Sequence, residues 1–172
     1  MISQLTGTIV LKKKNKVVID VCGVGYEVTV SLSTFAELPL EASKTKIFVY
    51  QHVRENAIEL FGFSTQFEKE LFLLLIDVSG IGPKTAIDIL SNTSLSGFKK
   101  AILSSDIKTI SNIRGIGKKT AEKLVFELKD KIREFQIPDG QIAVEETVLA
   151  DAIEALKALG FTDIQAKEAV EE

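Results

Sequence analysis

Two stretches of this 172-residue chain are nearly identical: residues 80–86 read GIGPKTA, and residues 115–121 read GIGKKTA, 35 positions later. Six of the seven letters match, and the one difference puts Lys118 where the first copy has Pro83. Each copy follows an apolar run and precedes residues with helical spacing. A supersecondary unit written twice predicts two equivalent pairs of helices, each joined by a short hairpin.

Each hairpin has features that favour binding of an anion. Its glycines permit a tight turn and expose backbone N–H groups at the start of the next helix, where the helix dipole favours a phosphate oxygen. Pro83 at the first helical position supports that helix start. We expect Ile81 and Ile116 to pack between the helices, and Lys84 and Lys119 to lie on the first turn beside the anion. This is the helix-hairpin-helix pattern, which holds DNA backbones without reading bases.

The second copy adds Arg114, Lys118 and Lys123, so we expect it to bind more strongly than the first. The predicted DNA contacts are the hairpin residues and one arginine of the N-terminal segment: Gly80, Gly82, Lys84, Thr85, Arg114, Gly115, Gly117, Lys118, Lys119, Lys123 and Arg54. The alternative is that the hairpins only connect helices. Two copies with matched lysines argue against it.

Other glycine motifs fit these residues poorly. A dinucleotide fingerprint needs glycine where Thr85 and Thr120 stand, and neither copy follows a strand. A phosphate-binding ATPase loop needs glycine at Asn112 and Ser or Thr after Lys118, where Lys119 stands. We therefore predict no nucleotide site and no cofactor.

Composition limits the class of protein. With 45% hydrophobic and 26% charged residues, the chain is typical of soluble globular proteins with one or two domains. Cys22 is the only cysteine and His52, on a strand-like run, the only histidine, so we expect no metal site and no histidine-based catalytic triad. The N-terminus lacks the pattern of a secretory signal and no apolar run is long enough to span a membrane, which predicts a cytoplasmic protein.

The net charge of −3 is unevenly distributed. Residues 1–135 carry 19 basic and 15 acidic side chains, a net charge of +4, whereas residues 136–172 carry 2 basic and 9 acidic, a net charge of −7. Such asymmetry predicts separate partners for the two parts, one of them polyanionic.

The patterns predict an α+β protein of several domains. Residues 1–63 contain five β-like runs and a short helix near residues 34–38, which favours an oligonucleotide-binding (OB) barrel, with Lys12, Lys13, Lys14 and Lys16 in a solvated hairpin. Residues 64–135 are predicted to form the tandem helix-hairpin-helix domain. Residues 136–147 read as an acidic flexible linker, and residues 148–172 as a small helical piece with one apolar face.

These features together resemble the RuvA family. The resemblance rests on MISQLTGTI at the N-terminus, ELFGF at the end of the barrel, the pair GIGPKTA and GIGKKTAEKL, and ALGF near the C-terminus, and it covers nearly the whole chain. It implies a non-catalytic homotetramer that holds a four-way (Holliday) DNA junction, with two tetramers enclosing the DNA as an alternative. It further implies recruitment of the RuvB ATPase motor through a C-terminal UBA-like domain, RuvC resolvase as a candidate partner, and a role in recombination, DNA repair and the SOS response.

The sequence departs from the family pattern at two places. The family carries paired acidic residues, the acidic pin, in a barrel loop at the junction centre; the corresponding residues here are Glu55 and Asn56, of which one is acidic. The family's C-terminal domain has three helices, whereas this chain stops at Glu172, near the end of the second, so we expect a removed tail or a short member. The residues expected to bind the motor are Leu156, Leu159, Gly160 and Phe161.

Two other functions are open to test. The first is a DNA repair glycosylase or nuclease: some repair glycosylases use the same hairpin with a catalytic aspartate about 20 residues later, and Asp139 lies 22 residues after Gly117. Its setting, between Pro138 and Gly140, favours a linker residue instead. A scaffold that binds only proteins is the third possibility. We predict a structure-selective DNA-binding subunit with no catalytic residues.

Overall fold

Five strands close into a barrel in the first part of the chain. The computed structural model describes residues 1–135, apart from the side chain of Glu134. The barrel consists of β1 (Gln4–Lys13), β2 (Lys16–Val21), β3 (Val24–Val30), β4 (Lys44–Arg54) and β5 (Ala57–Phe63), with helix α1 (Leu32–Glu37) between β3 and β4. The strand order is β1-β2-β3-β5-β4, and only the β3–β5 pair is parallel. The OB-like barrel predicted from the sequence is confirmed.

Inward-pointing and outward-pointing side chains alternate along the strands, and the inward-pointing ones form the core of the barrel. Val17 and Ile19 on β2, and Ile47 and Val49 on β4, point inward and are almost completely buried, while the residues between them are more exposed. Gly62 on β5 allows the strands to approach, since a Cβ atom there would lie 2.6 Å from the Ile47 and Val28 side chains.

Within residues 64–135, five helices follow the barrel, in the segment where the sequence predicted helices. They are α2 (Gln66–Asp77), α3 (Pro83–Asn92), α4 (Leu95–Leu103), α5 (Ile107–Ser111) and α6 (Lys118–Glu134). The first repeat joins α2 to α3 and the second joins α5 to α6, which confirms the tandem helix-hairpin-helix segment. Residues 1–135 form one compact unit. The domain boundary after residue 63 stays a prediction, and the predicted linker and motor-binding residues, including Leu156, Leu159, Gly160 and Phe161, lie outside the described residues.

A buried carboxylate joins the barrel to the helices. Glu68 on α2 is 4% exposed. It accepts hydrogen bonds from the Ser31 hydroxyl at 2.5 Å, from the Thr34 hydroxyl, and from the Ser64 backbone N–H at 3.3 Å. Burial raises the pKa of Glu68 above its usual value, and the hydrogen bonds from Ser31, Thr34 and Ser64 oppose that rise. Because Ser31 also caps α1, this cluster holds the barrel helix against α2, the first helix of the helix-hairpin-helix segment.

One lysine of the β1–β2 hairpin departs from expectation. Lys13, Lys14 and Lys16 are exposed as predicted, and Lys16 pairs with Glu27. Lys12 is half-buried instead: its Nζ donates to the Leu38 backbone oxygen at 2.6 Å and lies 4.7 Å from the centre of the Phe35 ring. The long side chain covers the apolar end of the barrel while its ammonium group finds polar and aromatic partners.

We predict that Glu68→Ala lowers the free energy of unfolding by ~1–3 kcal/mol, because the buried Ser31 and Thr34 hydroxyls would lose the carboxylate that accepts their hydrogen bonds. Denaturant unfolding of residues 1–172 measures the change. Glu70→Ala is the matched control, since Glu70 lies on the same helix, is exposed and, among the residues described, hydrogen-bonds only to Gln66 of that helix. Equal stability of the two variants would contradict the role assigned to Glu68.

Candidate nucleic-acid interface

The two hairpins have the same backbone geometry. The first glycine of each copy lies in the left-handed region, with φ of 97° at Gly80 and 86° at Gly115. The next residue donates its backbone N–H three residues back in each case, from Ile81 to Val78 at 3.0 Å and from Ile116 to Ile113 at 3.0 Å. Both isoleucines are 5% exposed, which confirms that they are buried, and their packing between the helices stays a prediction.

The second glycine of each copy has a different role from the one predicted. Gly82 and Gly117 have φ of −94° and −84°, which any residue can adopt, so the tight turn does not require glycine there. A Cβ atom at either position would meet nothing within 4 Å. Neither backbone conformation nor internal packing excludes a side chain. What a glycine provides at these positions is an unobstructed approach from outside the chain.

The helices after the hairpins begin without a side-chain cap. The other four helices of residues 1–135 each begin at a residue whose side chain accepts a backbone N–H of the first turn: Ser31, Thr65, Ser94 and Asp106. At α3 and α6 the N-cap is Gly82 or Gly117, and no side chain takes this role. Both helices therefore present unpaired donors and the positive end of the helix dipole to solvent, an arrangement suited to a phosphate.

The second hairpin carries the freer positive charge. Arg114, Lys118 and Lys119 are exposed, and none of them forms an ion pair within residues 1–135. Lys118 also contributes a backbone N–H at the first helical position, where Pro83 has none in the first copy. Lys123 lies further along α6, half-buried and 3.7 Å from Glu127.

The lysine of the first hairpin already has a partner. The Nζ atom of Lys84 lies 3.1 Å from Oε1 of Glu59 on β5. Thr85, the next predicted contact, is half-buried on the first turn of α3. Sequence reasoning missed Glu59, because it stands 25 residues before Lys84 and only the fold brings the two together.

The turn between β4 and β5 places the predicted pin residues at the surface. Arg54 and Ala57 pair across the hairpin, and the two residues between them, Glu55 and Asn56, are exposed. The Nε–H of Arg54 donates to Nε2 of His52 at 2.8 Å, and His52 lies on a strand as predicted. A role of Arg54, Glu55 and Asn56 in binding stays a prediction.

A surface ion pair connects the two hairpin units. Asp77, the last residue of α2, lies 2.7 Å from Nζ of Lys131 on α6, and this hydrogen bond lowers the pKa of Asp77. The pair joins the helix before the first hairpin to the helix after the second. It was also missed from the sequence, since its members are 54 residues apart.

Other kinds of site are not apparent in the part of the chain that the structure describes. No group of three or more His, Cys, Asp or Glu side chains there could hold a metal ion. No helix within residues 1–135 has both the length and the apolar character to cross a membrane. Asp139, the candidate glycosylase residue, lies outside the described residues.

Comparison with known proteins agrees with this geometry. A family model described as the RuvA N terminal domain matches residues 1–62, and one described as a SAM-like helix-hairpin-helix tandem matches residues 72–130. Three relatives are each named Holliday junction branch migration complex subunit RuvA. The Geobacter metallireducens protein is 46% identical over 95% of this chain and 84% of its own length. The Neisseria meningitidis serogroup B protein is 44% identical over 99% of this chain and 89% of its own length. The Symbiobacterium thermophilum protein is 43% identical over 94% of this chain and 83% of its own length.

The barrel, the paired hairpins with uncapped helices and the identity to these relatives along almost the whole chain lead to one conclusion: the chain belongs to the RuvA family.

Proposed function

We propose that the chain is a non-catalytic DNA-binding subunit that recognises four-way junctions during branch migration in recombination and DNA repair. The observation that carries this proposal is the pair of uncapped helix N-termini at Gly82 and Gly117, each preceded by a left-handed glycine. Two candidate anion sites with the same backbone geometry on one compact unit suit a ligand with regularly spaced phosphates. The names of the relatives indicate that this ligand is a Holliday junction.

The proposed contacts read DNA shape and not sequence. Backbone N–H groups and lysine side chains can neutralise phosphates, and such contacts position a protein on DNA without distinguishing base pairs. The exposed side chains of Arg114, Lys118 and Lys119 make the second hairpin the stronger contact. We therefore expect binding to depend strongly on salt and little on sequence.

Selectivity for a junction needs a second element, and we assign it to the β4–β5 turn. The Glu55 carboxylate is exposed at the tip of that turn. A carboxylate placed among converging phosphates repels them, and such repulsion disfavours a DNA that packs closely against the surface. Because Asn56 supplies no second charge, the effect in this chain is modest.

The remaining parts of the proposal concern assembly. Presentation of several hairpin pairs to the arms of one junction favours a homotetramer, or two tetramers around the DNA, because linked contacts add avidity. The acidic segment 136–172 is suited to a protein partner, and we assign to it the recruitment of the RuvB motor through Leu156, Leu159, Gly160 and Phe161. RuvC remains a candidate partner, and we place the protein in the cytoplasm.

Replacing Lys118 and Lys119 together by Ala should weaken binding to four-way junctions of any sequence alike. The slope of log K against log salt should become shallower by ~1–2, since each neutralised phosphate contributes roughly 0.9. The measurement is a salt series of junction and duplex titrations. Lys13→Ala with Lys14→Ala removes the same charge from the exposed β1–β2 turn and should leave the slope unchanged. An unchanged slope in the Lys118 and Lys119 variant would refute the assignment.

Glu55→Gln should tighten binding to plain duplex and so narrow the preference for junctions, because it removes the repelling charge. We expect a change of about fivefold or less, the size typical of one exposed charge. Titration of labelled junction and duplex of matched sequence gives the ratio of the two affinities. Glu37→Gln, an exposed acid on the barrel helix, is the control. A ratio equal to that of the parent chain would remove Glu55 from the account.

Deleting residues 146–172 should leave junction affinity within about threefold while abolishing stimulation of branch migration by the RuvB of the same organism. The physical reason is charge: this acidic segment is repelled by DNA and adds no phosphate contact. A gel shift and a branch-migration assay on the same preparations separate the two functions. Loss of junction binding on deletion would overturn the modular assignment.

A further inference from the structure

The two hairpins differ in the state of their lysines. Residues 79–86 contain a single basic side chain, Lys84, whereas residues 114–121 contain three. That single lysine lies 3.1 Å from the Glu59 carboxylate, although 76% of its side chain is exposed to solvent. The one basic side chain of the first hairpin is therefore paired with a carboxylate of the barrel.

Glu59 is held in position for this contact by its strand. It lies on β5 opposite His52 of β4, and its side chain is 29% exposed. The hydrogen bond from Lys84 is the main cause that lowers the pKa of Glu59, with smaller contributions from Arg54 and His52, so the carboxylate is ionised at neutral pH. Lys84 has a flexible side chain, while Glu59 is anchored to a closed barrel.

The surroundings of the pair are acidic. Glu59 and Lys84 line a surface depression between the barrel and α3 together with Glu27, Lys16 and Asp88. Three carboxylates and two ammonium groups share this depression, and Lys16 is itself paired with Glu27. Both ammonium groups that line the depression are therefore paired with carboxylates. No unpaired ammonium group is left there to replace Lys84 when a phosphate approaches.

We infer that Glu59 is a specificity-determining residue that occupies, in the free protein, the place of a DNA phosphate on Lys84. DNA then engages the first hairpin by exchange: the Lys84 ammonium group leaves the carboxylate and binds a phosphate oxygen. Glu59 thereby weakens DNA binding at the first hairpin relative to the second. The cations of the second hairpin have no carboxylate to leave before they bind a phosphate. This inference rests on the proposed DNA-binding function and deepens it.

Exchange has a consequence for the choice of DNA. A DNA that contacts a single hairpin binds most strongly at the second one, residues 115–121, whose lysines form no ion pair within residues 1–135. The first hairpin adds to binding only when the ligand is held closely enough to displace Glu59. A junction held through several arms supplies that proximity, whereas a single duplex end does not.

The test is a double-mutant cycle on the chain of residues 1–172, with dissociation constants for a labelled four-way junction. Glu59→Gln should tighten binding by about twofold to fivefold, the range for release of one exposed ion pair. In a Lys84→Ala background the same substitution should change binding by much less, because no lysine remains to be released. Asp130→Asn is the charge-matched control: it breaks the exposed pair with Arg133, about 18 Å along α6 from the second hairpin, and should have no effect.

Three results would overturn the inference. A gain of equal or greater size in the Lys84→Ala background would mean that Glu59 only repels DNA. No gain from Glu59→Gln in a chain that binds junctions would refute the exchange while leaving the proposed function intact. Failure of the parent chain to bind any DNA would refute the proposed function, and the exchange with it.

Discussion

DNA binding by this protein depends on one constraint: the backbone N–H groups at the first turns of α3 and α6 need hydrogen-bond acceptors. A helix leaves its first donors without intrahelical partners, and the other helices of residues 1–135 satisfy one of them with a serine, threonine or aspartate side chain. The two hairpin helices start at a glycine instead, and the space around that glycine is open. We propose that an external anion satisfies these donors, and the neighbouring lysines favour the same ligand.

The rest of the fold sets where these two helix ends lie. Glu68 attaches α2 to the barrel through Ser31 and Thr34, and α2 leads directly into the first hairpin. Asp77 at the end of α2 then contacts Lys131 on α6, the helix of the second hairpin. These polar contacts join the barrel, the first hairpin and the second hairpin, together with the packing of Phe72 of α2 against Phe61 and Phe63 of the barrel. The barrel also contributes the β4–β5 turn with Glu55 at its tip, and strand β5 with Glu59 beside Lys84.

Much of this structure could be predicted from local patterns in the sequence. The repeated Gly-Ile-Gly, the proline at the start of α3 and the alternating apolar residues of the strands act within a few positions, so they predicted both hairpins and the barrel. The contacts of Glu68 with Ser31 and of Glu59 with Lys84 join residues 37 and 25 positions apart, and no local pattern marks them. The separate roles of the two glycines also needed backbone angles, because Gly80 and Gly82 look alike as letters. The linker and the helical piece assigned to residues 136–172 stay predictions from composition and resemblance.

Hydrogen–deuterium exchange on residues 1–172, with and without a four-way junction, tests the central claim most directly. The relevant signals are the backbone amides at the starts of α3 and α6, read in peptides that cover residues 80–86 and 115–121. We expect slower exchange in both peptides when the junction is bound, with the larger effect in residues 115–121, because the cations of that hairpin form no ion pair within residues 1–135. Unchanged exchange at both helix starts, with protection elsewhere on a chain that binds the junction, would contradict it.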